Sequence, residues 1–141
     1  MGLDAIVYRN RKHLELGSDD KAAVVLPQTG EVYFENNETL KKHQHQLRAV
    51  EHRLGNMAEI SALREEASRL IGPESVLIRK ILFSATHSGD AIPLSNLAQL
   101  SVELDTIRGT GRESPQMQHF VAALEELVQA ATDEGNPIVF V

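Results

Sequence analysis

The chain has 141 residues, 42% of them apolar but only 4% aromatic, with no cysteine and a formal net charge of −6. That length supports one self-sufficient core, and the lack of thiols excludes disulfides, thiolate metal sites, iron–sulfur centres and cysteine nucleophiles. Acidity and the scarcity of aromatic stacking platforms argue against nucleic acid or an anionic lipid surface as a partner.

The start, Met1-Gly2-Leu3-Asp4-Ala5, lacks the basic, then apolar, pattern of a secretory signal, and nowhere do eighteen apolar residues run together. A cytoplasmic protein with no membrane span is the expectation. Ile6 stands where a myristoylation signal carries Ser or Thr. The charge is uneven: residues 1–71 hold ten Lys/Arg against eleven Asp/Glu, and residues 72–141 hold four against nine. The acidic half is a candidate surface for a basic partner.

Leu3 to Tyr8 is a β-branched and aromatic run that predicts a first strand. Ala22 to Leu26 and Glu31 to Phe34 flank Pro27-Gln28-Thr29-Gly30, which predicts a β-hairpin. With Leu26 in front, the turn resembles a sortase signal, but it lies in the first quarter of the chain, far from the C-terminal position such signals take.

Asn36-Asn37-Glu38 offers a helix cap, and Leu40, Leu47, Val50 and Leu54 predict one face of a helix closed by Gly55. Asn56 and Glu59 form the pattern of a capping box, from which Met57, Ile60, Leu63, Leu70 and Ile71 carry a second helix to Gly72-Pro73. The two would make a helical hairpin or a bent pair. Ser75 to Phe83 is open between a buried strand and a helix, with Ser75 as a cap and Arg79-Lys80 favouring the helix. Ser84 to Pro93 reads as a loop.

Ser95 is placed to cap a helix carrying Leu97, Leu100, Leu104 and Ile107, which Gly109-Thr110-Gly111 breaks as a flexible connection. Ser114 and Pro115 open the last helix, whose inner face is Phe120, Val121, Leu124, Leu127, Val128 and Ala131. Gly135-Asn136-Pro137 ends it before a terminal strand, Ile138 to Val141. Pairing the two terminal strands in one sheet with the hairpin predicts a single α+β domain. Its small, mainly antiparallel sheet would pack against about four to five helices in two layers.

Thr86-His87-Ser88-Gly89-Asp90 is the most site-like segment, since it gathers an imidazole, hydroxyls, a flexible glycine and a carboxylate in one loop. In an enzyme, His87 would be a general base oriented by Asp90, with Ser84, Thr86 or Ser88 near the substrate. Residues so close in sequence seldom form a triad, and Asp90, Ser88 and Gly89 also fit a self-bonded turn.

His43, His45 and His52 would share the first predicted helix, but His45 and His52 would be separated by about 10.5 Å of rise, so no metal or other cofactor is expected. Lys41, Lys42, Arg48 and Arg53 make that helix basic, either a solvated face or a site for phosphate or an acidic protein. Glu103, Asp105, Glu125, Glu126, Asp133 and Glu134 enrich the last two helices in acid. Glu125 and Glu126 would be the centre of a face able to steer in a basic partner, or part of a solvated helix surface.

Three stretches together carry a resemblance: Met1 to Tyr8, Thr86 to Asp90 with Ile92-Pro93-Leu94, and Gly135 to Phe140. They resemble a family of small single-domain bacterial proteins, some of them similar to immunity proteins of toxin systems. The resemblance implies a cytoplasmic protein that binds and blocks one toxin without chemistry of its own, and it assigns no site residues. The leading expectation is therefore a non-enzymatic protein-binding protein. The alternatives are a small enzyme or ligand-binding domain using Ser84 to Asp90, and a structural homo-oligomer, most simply a homodimer.

Overall fold

The structure is a computed structural model that describes residues 2–15, 24–34 and 37–141. It is an α+β arrangement in chain order: β1 (Gly2–Tyr8), β2 (Val24–Val25), β3 (Val32–Tyr33), α1 (Asn37–His43), β4 (Arg48–Asn56), α2 (Met57–Ile71), a π-helical segment (Leu77–Leu82), β5 (Ala91–Ile92), α3 (Leu97–Thr110), α4 (Pro115–Glu134) and β6 (Ile138–Phe140). The main sheet is antiparallel with strand order β4-β1-β6-β5. The terminal strands are neighbours, as the apolar ends predict.

Local chemistry explains most of the helix ends. The Asn56 side chain accepts the Glu59 N–H at 2.9 Å and Glu59 accepts the Asn56 N–H at 3.0 Å, so the predicted capping box opens α2. Ser114 Oγ accepts the Met117 N–H at 3.1 Å with Pro115 in the first turn of α4, and Gly135 ends that helix at φ +65. Residues 75–83 resolve as helix, in π form over Leu77–Leu82, with Ser75 Oγ accepting the Ile78 N–H at 3.2 Å. Leu77, Ile78, Ile81 and Leu82 are buried while Arg79 and Lys80 face out.

The helix predicted from Leu40 to Leu54 does not form. A short α1 and a 3-10 turn (Gln44–Gln46) give way to β4, the longest strand, and Gly55-Asn56 joins strand to helix instead of two helices. Val50, His52 and Leu54 alternate toward the helical layer, and a spacing of four between Val50 and Leu54 serves strand and helix equally. Against β1 the strand carries two register shifts, at Val7/Tyr8 and Leu3/Asp4, which leave Ala49 and Leu54 as extra residues. A bulge disturbs the two-residue strand period, while Leu47 precedes the strand as the cap of the 3-10 turn and packs with Leu14, Val32 and Phe34. Arg48, Glu51 and Arg53 lie opposite Tyr8, Ile6 and Asp4 on the other face. The basic helix is thereby dissolved, with Lys41 and Lys42 on α1 and Arg48 and Arg53 on β4.

Three further expectations are corrected. The hairpin forms at the predicted turn, where Leu26 N–H donates to Glu31 and Gly30 N–H to Leu26, but β2 and β3 make their own two-stranded sheet. Ala22 and Ala23 of that expectation, and Asn36 of the first cap, lie outside the described residues. Ser95 sits in a 3-10 turn, Leu94–Asn96, and α3 starts after it without a side-chain cap. The loop over residues 84–93 contains β5, two residues too few for a periodic signal.

The core lies between the sheet and α2, α3, α4 and the π segment. Leu3, Ala5, Val7 and Phe140 from the strands meet Leu63, Leu77, Leu104, Phe120 and Leu124 there, all buried. Ile6, Tyr8 and Val139 form a smaller cluster on the opposite face of the sheet. The hairpin turn reaches that end of the molecule. Gly30, at φ +76, lies so close to Asn136 that a Cβ would collide with its side chain, while Asn136 Nδ2 donates to the Tyr8 carbonyl at 2.7 Å.

Burial raises the Tyr8 phenol above its ordinary pKa of 10.0, the Glu31 carboxylate adds to that, and Arg48 opposes it. An acid whose folded pKa is raised keeps its proton longer folded than unfolded, so stability is complete below pH 10 and falls as pH climbs toward the folded value. Urea midpoints should therefore drop between about pH 9.5 and pH 11, and the Tyr8→Phe variant should show a smaller drop. Identical pH slopes for the two proteins would remove Tyr8 as the cause.

Candidate functional site

The segment from Ser84 to Asp90 links the π segment to β5. Gly89 takes φ +98, and its N–H donates to the Phe140 carbonyl at 2.8 Å, while Phe140 N–H donates to the Asp90 carbonyl at 2.9 Å. The loop is thus tied to β6 by backbone bonds. His87 is buried between two rings, with centroids 4.5 Å from both Phe83 and Phe140. Its Nε2–H donates to the Ile81 carbonyl at 2.8 Å, because a carbonyl can only accept. The other ring nitrogen, Nδ1, is buried as well. It lies 3.4 Å from Asp90 Oδ2 but outside hydrogen-bonding geometry, and this buried nitrogen has no hydrogen-bond partner.

The residues grouped by the sequence therefore diverge in space. Thr86, Ser88 and Asp90 are exposed while His87 is internal. Ser84 Oγ accepts the Thr86 N–H at 3.1 Å and lies 3.2 Å from Thr86 Oγ1. Among the described residues no hydroxyl is hydrogen-bonded to the imidazole. A nucleophile–base pair is absent from this arrangement, and the imidazole serves to fasten the π segment to β6.

The acidic residues of the last two helices are mostly engaged within the protein. Glu125 accepts from Arg108 Nε at 2.6 Å, which holds the guanidinium above its ordinary pKa, and Glu126 lies 2.6 Å from His52 Nε2. Asp133 accepts from Gln129 at 2.9 Å. Glu103 is buried and accepts the N–H groups of Val76 and Leu77 at 2.9 and 2.8 Å, capping the π segment. Glu134 is buried as well, accepting the Asn10 N–H at 3.0 Å and lying 2.8 Å from His13 Nδ1. Sequence reasoning missed both roles, although a signal was there. Glu103 falls inside the stripe Leu100, Leu104, Ile107, and Glu134 continues the stripe Leu127, Ala131.

The histidines stay apart. His43 is buried beside Phe34, His45 is exposed, and among the described residues no three metal-ligating side chains come together.

Sequence reasoning also missed the surface beside the His87 loop. Two grooves of about 290 and 560 Å³ meet at Lys80 and Ala91. The smaller is lined by Arg79, Phe83 and Asp90, and the larger by Pro93, Leu94 and Pro137. Phe83 and Leu94 are 45% and 46% exposed, a large fraction for such side chains. Arg64 fixes the Phe83 backbone by donating to its carbonyl at 3.1 Å. Arg79 donates through Nε to the Glu74 carbonyl at 2.9 Å, and among the described residues Lys80 has no ion pair. The trough thus combines apolar ends with a cationic middle, a composition suited to binding a protein segment. No protein-family model, curated protein or solved structure matches this chain.

Proposed function

We propose that this chain is a non-catalytic protein-binding module of the toxin-neutralising kind that its three resembling stretches imply, and that it meets its partner at the trough beside β5. The observation that carries this reading is the exposure of Phe83 and Leu94 on either side of Lys80, which has no ion pair among the described residues. Aromatic anchors that become buried on binding carry much of the energy of an interface, and charges that find opposite partners across it give specificity. Glu125 and Glu126 are the weaker candidates, since each already has an internal partner, Arg108 and His52.

The test is site-specific photo-crosslinking in the cell that produces the protein, with benzoylphenylalanine at Leu94 or at the exposed Ala122 on α4. A discrete protein adduct should form from position 94 and not from 122. It should fall at least tenfold when Phe83→Asp is added, with circular dichroism unchanged, and survive the double change Glu125→Lys and Glu126→Lys. Loss of the adduct in the Glu125/Glu126 variant but not in Phe83→Asp would move the interface to α4. No adduct from either position would sink the reading.

A further inference from the structure

β5 is an edge strand: Ala91 and Ile92 pair with Val139 and Ile138, and no described strand lies on the other side. Because the Asp90 carbonyl accepts from Phe140 N–H, strand alternation turns both backbone polar groups of Ala91 away from β6. Ala91 is exposed, and among the described residues its N–H and C=O have no partner. Pro93 brings no N–H, and its carbonyl is taken by Asn96 N–H at 3.0 Å. The open edge is thus one residue long, with Lys80 beside it and an apolar residue in the groove to either side.

We propose that this edge takes an extended acidic segment of a partner protein. One residue of the segment would exchange both backbone hydrogen bonds with Ala91, a neighbouring carboxylate would meet Lys80, and apolar side chains would rest on Phe83 and Leu94. The inference rests on the protein-binding reading and names the chemistry of the partner. Strand addition supplies affinity through the main chain and specificity through alternate side chains, which is the division the trough provides.

Charge selects the occupant. The protein carries −6 overall, yet the charged lining here, Arg79, Lys80 and Asp90, is cationic by one. An acidic segment gains a partner for Lys80. A second copy related by a two-fold axis through Ala91 would instead bring two Lys80 side chains to the same place.

The experiment is a selection of phage-displayed random decapeptides on the intact protein, followed by affinity and amide-exchange measurements on the best synthetic peptide. Enriched sequences should carry Asp or Glu flanked by apolar residues. Lys80→Glu should weaken binding at least tenfold and Lys80→Arg less than threefold, and exchange of the Ala91 amide should slow at least tenfold on binding. Selection of nothing, of peptides without an acid, or of peptides indifferent to Lys80→Glu would overturn the acidic-segment inference. So would an Ala91 amide left unprotected, or a dimer in sedimentation that Lys80→Glu dissolves. The cellular crosslink from position 94 stands apart from all of these, so the protein-binding reading can survive the loss of this one.

Discussion

Replacing Glu103 by alanine should cost about 3 kcal/mol, since two buried N–H groups lose their acceptor and each such loss costs about 1–3 kcal/mol. The carboxylate reaches Val76 N–H and Leu77 N–H at 2.9 and 2.8 Å and also accepts from Gln99 at 3.1 Å. All of this lies where the π segment begins, and that segment carries Arg79 and Lys80 into the trough. Glu103→Gln keeps one oxygen for one of the two donors, so it should lose about half as much. Urea unfolding of the three proteins decides the matter. A loss below about 1 kcal/mol for Glu103→Ala would mean that water or a shifted backbone replaces the cap.

Phe140→Ala should cost about 3–5 kcal/mol, the range for removing a fully buried aromatic side chain. The position argues for the lower end. Its ring lies edge-on to His87 at 4.5 Å, and the cavity left behind would border the partnerless Nδ1. A cavity with a polar wall admits water, and water there would satisfy that nitrogen. Phe140→Leu, which keeps the wall apolar, should lose about 1–2 kcal/mol. If the loss in Phe140→Ala disappears when His87→Phe is made as well, the two rings act as one packing unit. Full additivity would separate the His87 loop from β6 energetically and weaken the view that the imidazole fastens them.

The elements that were legible in the sequence are those with local punctuation. Asn56 with Glu59, Ser114 with Pro115, and Gly135 ahead of Pro137 mark α2, α4 and β6 by groups that satisfy backbone donors within a turn or two. β4 was illegible because its two bulges disturb the strand period, and because the spacing of Val50 and Leu54 belongs to both periods. β5 is too short to have a period at all.

The candidate site divides in the same way. The sequence placed a loop at Ser84 to Asp90, and small polar residues with Gly89 are enough for that. It could not place the His87 ring between Phe83 and Phe140, because Phe140 lies more than fifty residues further along the chain and meets the imidazole only through β6. Nor could it pair Glu125 and Glu126 with their internal partners, since Arg108 and His52 come from other elements.

By itself, then, the sequence determined an α+β domain without thiol chemistry, with terminal strands that are apolar and helices that begin and end at named caps. Those properties follow from composition and from interactions spanning a few residues. Tertiary structure decided that β4 is a strand, that Glu103 and Glu134 are internal acceptors, and that Lys80, Phe83, Ala91 and Leu94 share one trough. Each of these depends on which distant segment supplies the partner, and burial, unlike capping, is a property of the whole chain.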